Sequence, residues 1–507
     1  MIISLSVLVI TIIVSGTYAL YKAQLSKNIG VNTTTHGLAY YINYVKGTDI
    51  TAATLNPSTS YEGGASSDIE FWKKDDSYDI YGKIELTVNT IGTNLSNSPA
   101  LKYAVVNNGN VLKEGSLKGT TSGSKVTILK NLYLEQTKQI YTVYVWLDNS
   151  EELGNISNES LSISVDCTAS LQKEPTAADT IISLYTSAAK VTATNNSITY
   201  NTAPSVSLMN DRLGGTTTDL DGGNIRYYGA SPNNYIYFNC SDYSNQTSST
   251  CETWRIIGVF DGKLKLIRGS QIGKYSWDNK NTSTGAENNS GKNDWTTARL
   301  MKLLNPRDYY KVDSNDNNLG QSLYYNSASG KCYSGQNNAT VDCDFTSTGI
   351  KNDETRNMIA ETTYYLGGWN SYSVYPNEIY EYERGTTVYT GRPPTWPGKI
   401  ALAYPSDYGY AADLNQCKDK TLYDYDNSTC TSNNWMKAIL GTSSHGWLLT
   451  PRSGGSYNAW NVYSGGYVGS TYLAYYAIGA VPVLSLSSKL GIESGDGSSS
   501  NPYKLSA

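Results

Sequence analysis

Residues 456–484 read SYNAWNVYSGGYVGSTYLAYYAIGAVPVL, with six tyrosines, one tryptophan and no charged side chain. Glycine recurs too often here for a helix, and apolar residues too often for a disordered tail. With a period of two the stretch becomes a set of short strands. Trp460, Val462, Val468 and Leu473 are the candidates for the inward face. Tyr457, Asn458, Asn461, Tyr463, Ser464, Tyr467, Ser470, Thr471, Tyr472, Tyr475 and Tyr476 are expected to point outward or to lie in Gly-rich turns. Val481, Val483 and Leu484 then belong to a last core strand. Tyr, Ser, Gly and Asn together are the residues of a paratope: rigid aromatic anchors among adaptable hydrogen-bonding groups. The competing reading is a solvated structural sheet, because tyrosine is abundant throughout the chain.

The rest of the composition agrees with an extracellular β-protein. The chain has 507 residues, enough for two or three domains with their own cores. Charged residues make up 16%, against about 25% in an average globular protein. Of the aromatic residues, 44 are Tyr and only 4 are Phe. The net charge of −5 comes with no basic tract, which argues against nucleic acid. Only two His occur, His36 and His445, which argues against most His-dependent catalysis and against a His-rich metal site.

The N-terminus predicts export. Its apolar run from Ile2 to Val14 has the length of a signal-peptide core, and Thr17-Tyr18-Ala19 is a small-x-small cleavage site. Residues 1–25 are thus a signal peptide or, if uncleaved, a membrane anchor. The seven cysteines agree. Cys240 with Cys251, Cys332 with Cys343, and Cys417 with Cys430 each bracket a polar stretch, so three local disulfides are expected. Each would add roughly 2–3 kcal/mol in the chain-entropy view. Cys167 ends the alternation Leu161, Ile163, Val165, Cys167 and reads as a small core hydrophobe.

Residues 26–170 read as a β-sandwich. KIELTV alternates, Asn108-Gly109 is a hairpin signal, and QIYTVYVWLD and SLSISVDC are further strands. Residues 171–225 read as a linker with a short helix in EPTAADTIISLYTSAAK. Beyond lies a third texture, residues 226–507. CETWRIIGVFDGKLKLIRGS is a hairpin around Asp261-Gly262. NDWTTARLMKLLNP is a helix capped by Asn293 or Asp294 and ended before Pro306, and DETRNMIAETTYYLGG is a second helix closed by Gly367. KIALAYPSDYGYAAD starts as a strand and ends at a Tyr-rich turn. Trp254, Trp295, Trp447 and Trp460 are core candidates.

Other chemistry is sparse. DSNDNN, Asp313 to Asn318, alternates oxygen ligands, but Asn318 and Tyr324 stand where an EF-hand needs Gly and Glu, leaving at most a looser calcium site. His445 beside Ser443 and Ser444 lacks the further parts of a catalytic triad.

Two resemblances sharpen the expectation. The signal ending in SGTYALYKA, followed by a sandwich, resembles bacterial camelysin-type and biofilm-fibre surface proteins over roughly the first third of the chain. TWRIIGVFDGKLKLI, PSDYGYA and WLLTPRSG…AWNVYSGGYV, in that order, resemble a family of bacterial surface domains related to the C-type-lectin-like fold. That fold is shared by formylglycine-generating enzymes and by the variable proteins of diversity-generating retroelements. The resemblance implies a C-type-lectin-like domain over residues 226–507 whose last strands and loops carry the diversified, ligand-binding positions. The outward residues of 456–484 are all types reached from an AAY codon by changing adenines. Where the family has Gly-x-Arg-Pro, this chain has Gly479-Ala480-Val481-Pro482. A formylglycine-generating activity would need reactive cysteines, and the late cysteines here look paired.

The expectation is therefore a mainly β (α+β) protein, exported and surface-displayed. It would bind a protein or glycan on another cell, phage or host surface, without catalysis, without nucleic acid and with no cofactor beyond that possible calcium. Its rivals are a cell-envelope or fibre subunit, and a glycan-active enzyme with two carboxylates about 5–9.5 Å apart.

Overall fold

The computed structural model describes residues 23–24, 41–51, 55–151, 153–156, 158–212, 223–278, 290–311, 319–333, 340–441 and 445–506. The signal segment before Ala23, Asp313–Asn318, Ser443 and Ser444 lie outside the described residues. The protein is mainly β with a few short helices, and it divides into two compact units, Met1–Glu174 and Pro175–Ala507.

In the first unit, strict alternation builds two sheets. Ala65–Lys73 buries every second residue, and Tyr81–Ile91 buries Gly82, Ile84, Leu86 and Val88. One sheet runs in the order Ala23–Gln24, Leu161–Ser170, Tyr81–Ile91, Lys125–Tyr133. The other runs Ile42–Val45, Ala65–Lys73, Ile140–Asp148, Leu101–Asn107, Asn110–Ser116. Ile84, Leu86 and Val165 from the first share a core with Phe71, Val105 and Val143 from the second. Asn108 and Gly109 both take positive φ, 49° and 77°, the two-residue turn that matches strand twist. Cys167 is buried in this core, where burial pushes its thiol pKa well up.

The second unit begins earlier than the sequence suggests. The described residues from Pro175 to Asn210 belong to the second unit and are not a linker. Ala177–Ser187 is a helix held by a capping box between Thr176 and Asp179, and it buries Ala178, Ile181 and Tyr185 in the unit's main core. Val191–Asn195, Ile198–Ala203 and Leu208–Asn210 then start a nine-stranded sheet. This sheet continues through Ile225–Tyr227, Glu252–Phe260, Lys263–Arg268, Val483–Ser485 and Ile400–Ala401, with Tyr235–Phe238 beside Glu252–Phe260. The linker reading followed the polar composition, but most of these polar side chains are interior: Asn195, Asn201, Thr202 and Asn210 are buried, and Thr202 Oγ1 donates to Val191 O at 2.9 Å.

Two further expectations are corrected. The helix at 353 stops at Met358; Thr362–Tyr365 is a strand paired with Thr395–Gly398. Thr and Tyr prefer a pleated surface, and Tyr364 packs on Trp396 with ring centroids 5.6 Å apart. Pro405–Tyr410 is a helix rather than a turn, with Pro405 in its first position and the Asp407 carboxylate accepting from Tyr404 N at 2.9 Å. Asp261 and Gly262 form the expected turn, φ 48° and 69°. Asp294, not Asn293, caps the next segment, accepting from Thr296 N at 3.1 Å; Asn293 instead donates to Arg452 O, Gly455 O and Asn458 O.

Three disulfides pair as the spacing suggested: Cys240–Cys251, Cys332–Cys343 and Cys417–Cys430. They fit an oxidising, extracellular environment. Among the described residues no helix is long and apolar enough to cross a membrane.

Candidate functional site

The second sheet of this unit carries the Tyr-rich stretch. Its strand order is Gly273–Ser276, Ala477–Ala480, Gly446–Pro451, Asn458–Val462, Val468–Leu473. Asn458–Val462 is central in this part of the sheet and buried along its whole length. Trp460, Val462 and Val468 are fully buried, as read; Leu473 is only half-buried. All four tryptophans assigned to the core, Trp254, Trp295, Trp447 and Trp460, lie there.

The outward set divides. Ser464 and Thr471 are exposed, and Tyr457, Tyr463, Tyr467, Tyr472, Tyr475 and Tyr476 are half-buried. Asn458, Asn461 and Ser470 are buried, which corrects their outward placement. The register shifts between Ala459 and Asn461, so the period of two breaks inside the stretch, and the strand is covered on both faces. Asn458 works as an internal tie, its Nδ2 donating to Thr471 O at 2.9 Å.

The tyrosines that remain at the surface touch one another. Tyr467 stacks on Tyr463 with centroids 4.1 Å apart. Tyr463 meets Tyr472 edge-on at 5.2 Å, Tyr472 meets Tyr476 at 5.2 Å, and Tyr476 meets Tyr475 at 4.8 Å. Three residues from elsewhere in the chain join this strip. Tyr423 packs on Tyr467 at 5.6 Å, and Tyr372 on Tyr423 at 4.8 Å. His445 lies against both Tyr463 and Tyr472, at 4.6 and 5.0 Å. Ring pairs in these edge-on and stacked geometries each contribute about 0.5–1.5 kcal/mol beyond burial. Tyr457 enters none of these ring contacts among the described residues.

Sequence reading missed Tyr372, Tyr423 and His445. Tyr423 lies inside the loop closed by Cys417–Cys430, far along the chain from Tyr467. Its 48% exposure is the one hint of a surface role, and only a structure provides it.

Backbone and helix support fix the strip in place. The turn at its centre closes through Tyr463 N to Tyr467 O and Gly466 N to Tyr463 O, 2.9 and 2.8 Å. Gly466 needs its positive φ of 105°. Tyr408, on the Pro405–Tyr410 helix, donates its hydroxyl to Gly466 O at 2.7 Å. His445 Nδ1 accepts from Ser464 N at 3.1 Å, and Tyr463 Oη pairs with Thr471 Oγ1 at 3.0 Å.

The helix beneath is itself pinned by buried charge. Asp407 is paired with Arg226 Nη1 at 2.9 Å and with Lys265 Nζ; Arg226 also pairs with Asp211. The Arg226 guanidinium lies 4.6 Å from the Phe260 ring and 4.8 Å from that of Tyr410. Burial alone would raise the Asp407 carboxyl, but Lys265 and Arg226 hold it below its ordinary pKa. Burial pulls Lys265 down to about 8 against the attraction of Asp407. Burial likewise pushes Glu383 up to about 7, although it accepts from Ser406 N and Oγ at 2.9 and 2.5 Å.

The strip's own side chains are uncharged, with Asp426 beside the turn at Gly465. Burial raises the hydroxyl pKa of Tyr463, Tyr467, Tyr472 and Tyr475, so each stays protonated as a donor. Burial lowers the pKa of His445, which favours the uncharged ring. Among the described residues no three His, Cys, Asp or Glu side chains are grouped as metal ligands would be. The arrangement offers aromatic area with hydroxyl tips: a surface that can stack on a partner and hydrogen-bond to it.

No protein-family model matches the chain, and no protein of curated function matches it. Among solved structures, an HCR/D point mutant aligns at 13% identity over 51% of this chain and 75% of its own, with a TM-score of 0.15. The receptor binding domain of botulinum neurotoxin mosaic serotype C/D aligns at 12% identity over 52% of this chain and 74% of its own, also with a TM-score of 0.15. Superpositions at that score do not establish a common fold.

Proposed function

We propose that this chain is a surface-displayed binding protein whose contact surface is the aromatic strip from Tyr372 to Tyr475. The observation that carries this reading is the unbroken sequence of ring contacts, assembled from three separate parts of the chain onto one braced turn. A structural sheet has no need to bring Tyr423 and Tyr372 alongside the terminal hairpin. Rigid aromatic anchors give contact area at little entropic cost, and Ser464 and Thr471 at the rim supply adaptable hydrogen bonds.

On this proposal the first unit is a β-sandwich that holds the binding unit away from the cell surface. The second is a C-type-lectin-like domain, and its terminal hairpin is a site of retroelement diversification. The mechanism is recognition rather than turnover. The three disulfides support display in an oxidising environment.

The test is a screen of the oxidised full chain on glycan and protein arrays, beside a variant with Tyr463, Tyr467, Tyr472 and Tyr475 changed to Ala. Binding by the parent and its loss in an equally folded variant is the expected result. Equal binding by both would move the contact surface elsewhere.

A further inference from the structure

Asn461 stands out among the orphaned polar groups of the strands beneath the strip, which also include Trp460 Nε1 and Ser470 Oγ, because both of its polar atoms are unpartnered. It is fully buried, yet neither its Oδ1 nor its Nδ2 has a hydrogen-bond partner among the described residues. Leaving a buried polar group unpaired costs about 1–3 kcal/mol, and a Val or Leu in a strand interior carries no such cost. Something other than packing accounts for an amide at this position.

Its surroundings say where the amide is directed. Asn461 is registered opposite Trp447 on one side and Gly469 on the other, so these three positions share one face of the sheet. That face runs under the strip. A Cβ placed on Gly469 would stand 2.6 Å from Cε2 of Tyr463, so the Tyr463 ring closes over this point only because residue 469 is glycine. The Trp447 ring meets Tyr472 at 6.4 Å. Tyr463 thus covers the position next to Asn461. Side-chain contacts hold its ring there: the hydroxyl pair with Thr471, the stack on Tyr467 and the edges of His445 and Tyr472. A rotamer change of one half-buried side chain releases them without moving the sheet.

We propose that Asn461 is a polar subsite for a neutral sugar, uncovered when Tyr463 swings aside. This rests on the strip being the binding surface. A carboxamide presents a donor and an acceptor side by side in one plane. Two adjacent hydroxyls of a sugar ring each donate and accept, so one vicinal diol satisfies both atoms of Asn461. The walls, Tyr472 and the displaced Tyr463, are aromatic and half-buried, and take the C–H face of the ring. No residue from 453 to 484 is charged, so the segment offers an ionic ligand no counter-charge. A buried amide of this kind also discriminates strongly, because a ligand lacking one hydroxyl leaves a buried group unpaired again.

The experiment uses the oxidised full chain and neutral hexaoses built on glucose, galactose, mannose or N-acetylglucosamine, read by isothermal titration calorimetry. The variants are Asn461→Leu, Asn461→Val as the smaller alternative should Leu overpack, and Tyr467→Ala/Tyr472→Ala. The expected result is that the parent binds at least one hexaose. An Asn461 variant at least as thermostable as the parent binds it tenfold or more weakly, equivalent to about 1.4 kcal/mol. Removing one hydroxyl of the recognised diol weakens the parent but not that variant. Parental affinity in both Asn461 variants, with binding lost in the tyrosine variant, overturns the subsite and leaves the strip standing. A parent that binds no hexaose overturns the sugar assignment, and capture of a protein on an array would then assign the strip to a protein partner. Undiminished hexaose binding by the tyrosine variant overturns both.

Discussion

His445 accepts a hydrogen bond from the backbone of the turn it supports, and that bond depends on its proton count. Protonated imidazole has two donors and no acceptor, so Nδ1 would then face the N–H of Ser464 donor to donor. Burial lowers the folded-state pKa. The unfolded chain therefore takes the proton more readily: the stabilisation is fully present above the unfolded value near 6.5 and is lost as pH falls through the folded one. Glu383 has the opposite sign. Its folded pKa is raised to about 7, so its contribution is greatest below the unfolded value near 4.5 and fades as pH rises through 7. Thermal melts between pH 4 and 9 check both. His445→Gln is expected to reduce the loss of Tm on the acid side, and Glu383→Gln to flatten the profile from pH 5 to 7. Unchanged slopes would remove either group from the balance. Asn458, Asn461 and Ser470 show how far one residue can be read from sequence alone. Each stands where a period of two puts a wet side chain, and a one-residue register shift with burial on both faces puts each inside.

The loop from Cys417 to Cys430 delivers Tyr423 to the strip and Tyr425 to the core beneath it, where the Tyr425 hydroxyl donates to Gly409 O at 3.2 Å. Replacing both cysteines by Ser is expected to cost about 3 kcal/mol, from the loop-closure entropy of a short loop. Because Tyr423 then loses its tether, ligand affinity falls with it, whereas the Cys332–Cys343 pair can be removed with no change in affinity beyond that of stability. Denaturant melts alongside titrations of the two double variants separate the cases. Elements of this size were the most legible. The Asn108-Gly109 and Asp261-Gly262 turns, the alternating strands and the cysteine pairs all follow from chemistry within a dozen residues. The helix read through Gly367 was not legible, because its second half pairs with Thr395–Gly398, some thirty residues further on.

The second unit starts with the Ala177–Ser187 helix, and its autonomy depends on that helix. Residues 175–507 expressed alone are expected to unfold in one cooperative transition with the binding surface intact. Residues 226–507 lack Ala178, Ile181, Tyr185 and the strands from Val191 to Asn210, and are expected to lose that transition and aggregate from an opened core and a bare sheet edge. Calorimetry and size-exclusion chromatography of the two fragments check this. Asp407→Asn acts at the same scale. It leaves Arg226 paired with Asp211 and takes away the carboxylate that Lys265 is paired with, and an unmatched buried charge costs about 3–5 kcal/mol.

Local order suffices for what the sequence by itself determined: a mainly β chain, its hairpin turns, its three cysteine pairs, a core tryptophan at 460 and a tyrosine-rich terminal surface. Side-chain alternation, φ preference and short loop closure all act between near neighbours. Only the tertiary structure decided which tyrosines form one strip, which asparagines lie beneath it, and that Arg226, Lys265 and Asp407 brace its underside. Those outcomes come from contacts between segments as many as 181 residues apart, the separation of Arg226 and Asp407. Burial and register are properties of the assembled sheets, which no window of sequence contains.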